Sequence, residues 1–211
     1  MAAVTDAYAT AAEYRGRVDK SSTVDDALLG ALLLAVSRQL DKECERFFTQ
    51  DATAVTRDPY DGNGLARVWL PDDIATATGL IVTADLDGDY SFADETALTL
   101  DTDFWLGPPS ADKGPEPRPW QFLEVHPDST RLSVWPKQRR AIKVTAKFGW
   151  PAVPGAIKEA TVLICRELID LEKSGFTLIL QNLDQAINLS PTAFGIMQRI
   201  KREYGRRMPV R

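Results

Sequence analysis

Thr23–Phe48, which reads TVDDALLGALLLAVSRQLDKECERFF, decides the fold of this chain. Its apolar side chains recur three or four residues apart, so they fall on one face of a helix. The centre of that face is formed by Leu29, Leu33, Val36, Leu40, Cys44 and Phe47. Ser22 or Thr23 can cap the first turn, because Asp25 or Asp26 follows at the spacing of a capping box. A helix of this length with so wide an apolar face needs partner helices.

The other long periodic segments lie before Val18 and after Pro154. The periodic pattern of Tyr8–Val18 predicts a short N-terminal helix. A second long helix is predicted to start at Val153-Pro154, because proline is tolerated at the beginning of a helix, and to end at Gly175. Its apolar stripe consists of Ile157, Ala160, Ile164, Leu168 and Leu171.

A further helix is predicted from Thr192 to about Tyr204. Ser190 is its expected N-cap, and Pro191 occupies the first helical position, where proline is favoured. Residues 176–189, which read FTLILQNLDQAINL, are apolar and leave both a strand and a loop open.

Residues 51–150 show short apolar runs separated by Gly- and Pro-rich turns, a pattern typical of strands. We expect strands at 52–57, 65–70, 80–85, 90–92, 98–100, 103–106, 120–125, 131–134 and 141–148. The first two are predicted to form a hairpin around Asp58–Gly64, where Gly and Asn supply positive φ. Residues 107–119 hold five of the 13 prolines and predict an exposed loop.

The predicted fold class is therefore α+β, an antiparallel helical bundle with a long inserted antiparallel β unit and a C-terminal helical arm. Residues 1–50 and 151–175 are expected to form the bundle, 51–150 the β unit, and 176–211 the arm with its basic helix. The expected core residues of the bundle are Leu29, Leu33, Val36, Leu40, Phe47, Ile157, Ile164 and Leu168.

Composition excludes several classes of protein. The 211 residues are 44% hydrophobic and carry a net charge of −5, so bulk charge does not favour nucleic-acid binding. No apolar run is long enough to span a membrane, and the N-terminus lacks a signal peptide. Cys44 and Cys165 both lie on helical patterns, which predicts buried thiols in a reducing compartment and leaves too few ligands for zinc.

The candidate chemical sites in the sequence are weak. Asp85–Asp89 (DLDGD) departs from the calcium-binding EF-hand loop at Tyr90 and Thr96, where that loop needs glycine and glutamate, so a solvated turn is predicted. His126 precedes Pro127 and lacks a partner motif; a hydrolase using His126 with Glu124 remains a minor alternative. We interpret the five tryptophans as packing or subunit contacts rather than a sugar or base platform: Trp69, Trp105, Trp120, Trp135 and Trp150.

The order of several motifs resembles a known family. YATAAE opens the chain at residue 8, and the long helix begins with DDALL at residue 25 and ends with CERFF at residue 48. WLPD follows at 69–72, and IKVTAKFGW at 142–150 runs directly into Val153-Pro154 and IKEA at 157–160. This order resembles that of the head–tail connector (adaptor) proteins of tailed bacteriophages, over roughly residues 8–173. Its most specific part is a strand, Phe-Gly-Trp, Val-Pro and then a helix.

The resemblance implies a structural virion protein and not an enzyme. Such proteins form a ring of twelve subunits beneath the portal protein ring, join after genome packaging, and extend the channel through which DNA passes during ejection. They bind a tail-side partner, a stopper or tail terminator protein, and use no cofactor or metal. The implied location is the capsid–tail junction of the virion, assembled in the host bacterial cytoplasm, with no membrane contact and no specific DNA binding.

The charge distribution is consistent with this role. Residues 1–198 carry 19 basic and 29 acidic residues, a net of −10, whereas residues 199–211 carry six basic residues and one acid, a net of +5. A channel for DNA should not bind phosphates tightly, because each contact with a basic residue releases counterions and strengthens binding. An acidic body with a basic end suits a ring that docks on an acidic protein.

The last helix is therefore our candidate portal-docking segment. An apolar stripe with arginines beside it can dock through burial and be oriented by Arg–carboxylate pairs. The residues concerned are Phe194, Met197, Arg199, Ile200, Lys201, Arg202, Tyr204, Arg206 and Arg207. The alternatives are that this helix packs on its own bundle with solvated arginines, or that the basic end binds nucleic acid.

Overall fold

A computed structural model describes residues 7–18, 25–111, 113–173 and 190–206. The chain forms two compact units, Met1–Phe48 with Val153–Arg211, and Thr49–Ala152. We call them the helical unit and the β unit. The fold is mixed α and β, and its sheet is antiparallel, as the sequence predicted. The C-terminal helix belongs to the helical unit, which corrects the expectation of a separate arm over 176–211. Residues 176–189, left open above, lie outside the described residues.

The helical unit contains four helices within its described residues: α1 (Ala11–Arg17), α2 (Asp26–Cys44), α3 (Gly155–Lys173) and α4 (Pro191–Tyr204). α1 begins with a capping box, in which the Glu13 N–H donates to Thr10 Oγ1 at 3.1 Å and the Thr10 N–H donates to Glu13 Oε2 at 2.7 Å. α2 is capped by Asp25, whose carboxylate accepts from the Ala27 N–H. The prediction that Ser22 or Thr23 caps α2 is wrong.

α2 packs against α1, α3 and α4, and α3 also packs against α4. One cluster of buried side chains joins the first three helices: Ala9, Tyr14, Leu29, Leu32, Leu33, Val162, Cys165 and Ile169. Seven of the eight expected core residues are fully buried: Leu29, Leu33, Val36, Leu40, Ile157, Ile164 and Leu168.

Phe47 is the exception, because its side chain is 39% exposed. α2 ends at Cys44, and Glu45 adopts a left-handed conformation with φ of 54°. Beyond that residue the chain no longer follows the helical period, so a position three residues after Cys44 need not face inward. Phe48 occupies the core in its place and is fully buried. The prediction of Phe47 as a core residue is wrong.

The β unit is a five-stranded antiparallel sheet in the order β1-β5-β2-β4-β3. Its strands are β1 (Val55–Thr56), β2 (Arg67–Ala84), β3 (Phe104–Gly107), β4 (Trp120–Val125) and β5 (Ile142–Phe148). Leu123, Ile142 and Val144 on the central strands lie in one core cluster with the fully buried Trp135. None of the described helices of the chain is long and apolar enough to cross a membrane.

Several strand predictions are wrong. β1 pairs with β5 and not with β2, so residues 52–57 and 65–70 do not form the predicted hairpin. β2 continues through Pro71, which lies where the pairing register with β4 shifts between Trp69 and Ile74, a bulge that accommodates proline. Residues 90–92 and 131–134 form no strand, and 98–100 forms only isolated bridges.

The Phe-Gly-Trp motif lies where the chain enters and leaves the β unit. Gly149 forms a bridge with Gln50, and the Trp150 N–H donates to the Thr49 carbonyl at 3.3 Å. Gly149 has φ of 108°, and a Cβ atom on it would lie 1.9 Å from the Thr49 oxygen. Only glycine fits this crossing, because any side chain would meet backbone.

Candidate docking surface

α4 forms because the sequence supplies each helix signal in order. Ser190 accepts from the Ala193 N–H at 3.2 Å, Pro191 stands in the first turn, and the Gly205 N–H closes the helix on the Lys201 carbonyl. Ser190 Oγ also donates to Glu167 Oε2 of α3 at 3.2 Å. The start of α4 is therefore fixed to α3.

The apolar stripe of α4 faces its own unit. Met197, Ile200 and Tyr204 are buried, and the Tyr204 ring meets the Phe48 ring edge-on at 5.9 Å. A side chain already buried in its own unit offers no free surface for a partner. Their prediction as docking residues is therefore wrong, because a stripe in the sequence does not reveal which surface covers it.

The outer face of α4 remains accessible. Phe194 is 45% exposed, and Arg199 and Arg202 are exposed on the same helix. Lys201 is bound to Glu43 of α2 at 2.9 Å, and that hydrogen bond raises the pKa of Lys201. We call Phe194, Arg199 and Arg202 the α4 outer face, an aromatic side chain with two cations.

The end of α4 is fixed to the end of α2. The Arg206 N–H donates to the Cys44 carbonyl at 3.0 Å, and the Arg206 side chain is half-buried. Backbone attachment at this point limits how far Arg206 can reach towards a partner. Arg207, the last of the predicted docking residues, lies outside the described residues.

A buried polar cluster holds the N-terminal segment on the end of α2. The Tyr8 hydroxyl donates to Asp41 Oδ1 and accepts from the Phe48 N–H at 3.0 Å, and the Tyr8 N–H donates to Ser37 Oγ at 2.9 Å. Arg38 Nε lies 3.3 Å from the second Asp41 oxygen. Burial raises the pKa of Asp41 to about 6, although Tyr8 and Arg38 both act to lower it. Burial and Asp41 raise the pKa of Tyr8.

Asp85–Asp89 forms a turn as the sequence predicted. The Asp85 carboxylate is fully buried and accepts from the Gly88 N–H at 2.7 Å, the Tyr90 N–H at 2.9 Å and the Gln138 amide. Asp85, Asp87 and Asp89 each offer an oxygen within 4.8 Å of the others. Because the Asp85 oxygens already accept these donors, the arrangement is explained by the turn itself.

The pair named for the hydrolase alternative is not arranged as acid and base. Glu124 binds Arg67 at 2.9 Å across the sheet. His126 Nδ1 accepts from the Asp128 N–H at 3.1 Å, and its ring packs edge-on against Trp105 with centroids 4.4 Å apart. Glu124 and His126 are therefore each bound to other residues, whereas a hydrolase would need a hydrogen bond between them.

The remaining predicted residues divide between core and surface. Cys44 and Cys165 are buried free thiols, and burial raises the pKa of each to about 12, which makes them poor nucleophiles. Trp135 and Trp150 are buried, whereas Trp105 is 39% exposed. The tryptophans therefore serve mainly the packing of the β unit.

Comparison with solved structures finds a similar fold in a chain from the neck of an empty GTA (gene transfer agent) particle computed with C6 symmetry. The two chains are 14% identical and align with a TM-score of 0.51, over 94% of this chain and 90% of the other. At this identity the likeness shows the fold alone. No protein-family model matches the chain, and no curated protein matches it.

Proposed function

We propose that this chain is a structural component of the head–tail junction of a phage-like particle. The observation that supports this most is the likeness of fold to a particle-neck chain over 94% of the length. The motif order that resembles phage connector proteins points to the same class independently. The engaged Glu124 and His126 side chains offer no support for the hydrolase alternative.

The finer proposal is an adaptor ring. Copies of the chain, twelve by the family resemblance, surround the DNA channel beneath the portal ring, and a stopper or tail terminator protein binds the opposite side. The similar chain comes from a particle computed with C6 symmetry, and a twelve-membered ring contains a six-fold axis. The acidic body of the chain suits a channel that DNA traverses without being held.

Docking on the portal is assigned to the α4 outer face. Phe194 is the exposed aromatic side chain there, and Arg199 and Arg202 can pair with carboxylates of an acidic partner. Surface arginines of this kind steer encounter and fix orientation more than they add affinity. Met197, Ile200 and Tyr204 hold the helix in place and do not reach the partner.

The test combines Phe194→Ser with Arg199→Glu and Arg202→Glu. All three side chains are exposed, so we expect at most a small change in the thermal midpoint and loss of attachment to filled, portal-bearing capsids. Lys158→Glu with Arg166→Glu, exposed on α3, is the charge-matched control and should attach normally. A deletion from Ser190 is unsuitable, because it removes the buried half of α4.

Three outcomes separate the possibilities. Normal attachment of the triple variant would exclude docking through the α4 outer face. If antibody labelling of intact particles finds the unmodified chain away from the neck, the proposed function itself is wrong. If the unmodified chain retards duplex DNA at low salt and the triple variant does not, the basic helix binds nucleic acid instead.

A further inference from the structure

A short non-helical segment precedes α1 and lies against the end of α2. Residues 7–9 come before the N-cap of α1, and the last two of them are buried. The Tyr8 N–H donates to Ser37 Oγ of α2, and the Tyr8 hydroxyl donates to Asp41 Oδ1 and accepts from the Phe48 N–H. We call residues 7–9 the N-terminal strap.

The strap can leave its site without unfolding α1. The capping box of α1 lies between Thr10 and Glu13, both of which are outside the strap. Two arginines of α1 form ion pairs with the neighbouring helices, Arg15 with Asp26 of α2 and Arg17 with Glu159 of α3. Release of the strap therefore breaks the contacts of residues 7–9 and leaves α1 with its own cap and its own attachments. Partial openings of this kind, limited to one segment, precede global unfolding in folded proteins.

The strap and the end of α4 meet at Phe48. The Phe48 ring packs edge-on against the Tyr8 ring, with centroids 5.8 Å apart, and against the Tyr204 ring at 5.9 Å. Because the Tyr8 hydroxyl also accepts from the Phe48 N–H, the strap helps to fix the ring on which Tyr204 packs. The start of α4 is attached separately to α3. The strap therefore supports the end of α4 and not its beginning.

The other contacts at this end of α4 do not substitute for the strap. Lys201 Nζ lies 2.9 Å from Glu43 Oε2 of α2, but the Lys201 side chain is 50% exposed, so water screens the pair. The hydrogen bond from the Arg206 N–H to the Cys44 carbonyl is a single backbone contact beyond the end of both helices' hydrogen-bonding patterns. The attachment of this end to α2 therefore depends on the strap.

We propose that the N-terminal strap is a releasable support for the C-terminal half of α4, which carries Arg199 and Arg202. With the strap in place, Phe48 and Tyr204 keep that half of the helix against α2. With the strap released, the Phe48 N–H loses the Tyr8 acceptor, and the end of α4 separates from α2 before the helical unit unfolds. This inference rests on the proposed docking through the α4 outer face, since it gives the strap control over how the two arginines are presented.

Thiol labelling of the free, full-length chain tests the strap. Cys44 lies at the end of α2 and Cys165 in the core cluster of α3, and both thiols are buried, so each reacts only when its surroundings open. The single-cysteine variants Cys165→Ala and Cys44→Ala report on the two positions separately. We expect Cys44 to be labelled faster than Cys165, with a weaker dependence on urea, because a partial opening exposes less surface than global unfolding. Equal rates with the same urea dependence would overturn the proposal.

Two tyrosine-to-phenylalanine variants form a matched pair. Tyr8→Phe removes a hydroxyl from the strap, and Tyr14→Phe removes one from a buried side chain of α1, which stays in place when the strap is released. Tyr8→Phe should accelerate labelling of Cys44 several-fold, because it removes hydrogen bonds that only the closed state has. Tyr14→Phe weakens the closed and open states equally, so it should leave labelling of Cys44 unchanged while accelerating that of Cys165. If both variants accelerate labelling of Cys44 equally, Cys44 is exposed only by global unfolding and the strap does not open on its own.

Attachment to filled, portal-bearing capsids tests the link to docking. Tyr8→Phe should attach several-fold less well than the parent, although the α4 outer face is unchanged, and Tyr14→Phe should attach normally. Normal attachment of the Tyr8→Phe chain would overturn the control of docking by the strap. Failure of the unmodified chain to attach contradicts the proposed function instead, and the labelling of the free chain then still decides whether the strap opens.

Discussion

Asp41 should make the stability of the helical unit depend on pH in a direction opposite to that of most native carboxylates. Its side chain is buried, and burial raises its pKa from 3.8 to about 6. The folded state therefore holds a proton between about pH 4 and pH 6 that the unfolded state has released. By linkage, this contribution is fully present below the unfolded pKa and is lost as pH rises through the folded pKa.

The magnitude follows from the size of the shift. A difference of about two units, at 1.36 kcal/mol per unit, corresponds to roughly 3 kcal/mol between pH 4 and pH 7. Asp41→Asn retains an oxygen that accepts from the Tyr8 hydroxyl but cannot titrate. We expect the Asn variant to lack this component, so that the stability difference, variant minus parent, increases by about 3 kcal/mol from pH 4 to pH 7.

The measurement must follow the unfolding of the helical unit, which contains Asp41. All five tryptophans lie in residues 49–152, so their fluorescence follows the β unit and not the helical one. Helical circular dichroism during urea unfolding, repeated from pH 4 to pH 7, measures the relevant free energy. Asp94→Asn, which removes the same charge at an exposed position outside the helical unit, is the matched control.

Tyr8→Phe tests independently whether titration of Asp41 causes the pH dependence. The Tyr8 hydroxyl lowers the pKa of Asp41, so its removal should move the transition to higher pH. If parent and Asp41→Asn show parallel stability curves across this range, the argument from burial is refuted.

Three further predictions concern single positions, each measured as a thermal midpoint. Leu33→Asp or Ile164→Asp should unfold the helical unit, because both sites are fully buried and an unpaired buried carboxylate costs several kcal/mol; an unchanged midpoint in either would contradict the described core. Gly149→Ala should destabilise the β unit, since its Cβ would meet the Thr49 oxygen at 1.9 Å at a φ that alanine disfavours. Gly107→Ala should also destabilise it through collision with the Phe122 ring, and adding Phe122→Leu should recover part of the loss.

The helices were predictable because their signals are local. The stripe of α2 repeats at helical spacing over many residues, and its buried members follow that spacing from Leu29 to Cys44. The period fails only where a local event resets it, at the left-handed Glu45, so Phe48 replaces Phe47 in the core. Ser190 and Pro191 likewise predicted the start of α4 correctly, since a helix cap depends on neighbouring residues.

Strand pairing was less predictable because it depends on distant residues. β1 pairs with β5, about ninety positions later in the chain, and the sequence around Asp58–Gly64 has the composition of a hairpin turn without forming one. The strands predicted separately at 65–70 and 80–85 are both parts of β2, because the register shift between Trp69 and Ile74 accommodates Pro71. Which strands pair depends on the strands already present in the sheet, and residues near a strand in the sequence do not determine its partner.

The candidate site was predictable only in part for a related reason. The sequence shows that α4 has an apolar stripe and a basic side, but burial of Met197, Ile200 and Tyr204 depends on α2 and α3. The turn at Asp85–Asp89 was predicted from its Asp and Gly residues, whereas the burial of the Asp85 carboxylate that accepts from the Gly88 N–H required the structure.

The small size of the α4 outer face has a consequence for assembly. One exposed aromatic side chain and two exposed arginines give weak docking for a single copy, because surface charge pairs contribute little. When neighbouring copies contact each other in the proposed ring, each docked copy raises the effective concentration of the next, and affinity grows by avidity. We therefore expect the amount of labelled chain bound to filled, portal-bearing capsids to rise steeply over a narrow range of chain concentration. The triple variant of the α4 outer face should show no such rise. A simple hyperbolic binding curve for the unmodified chain would mean that each copy docks independently of its neighbours.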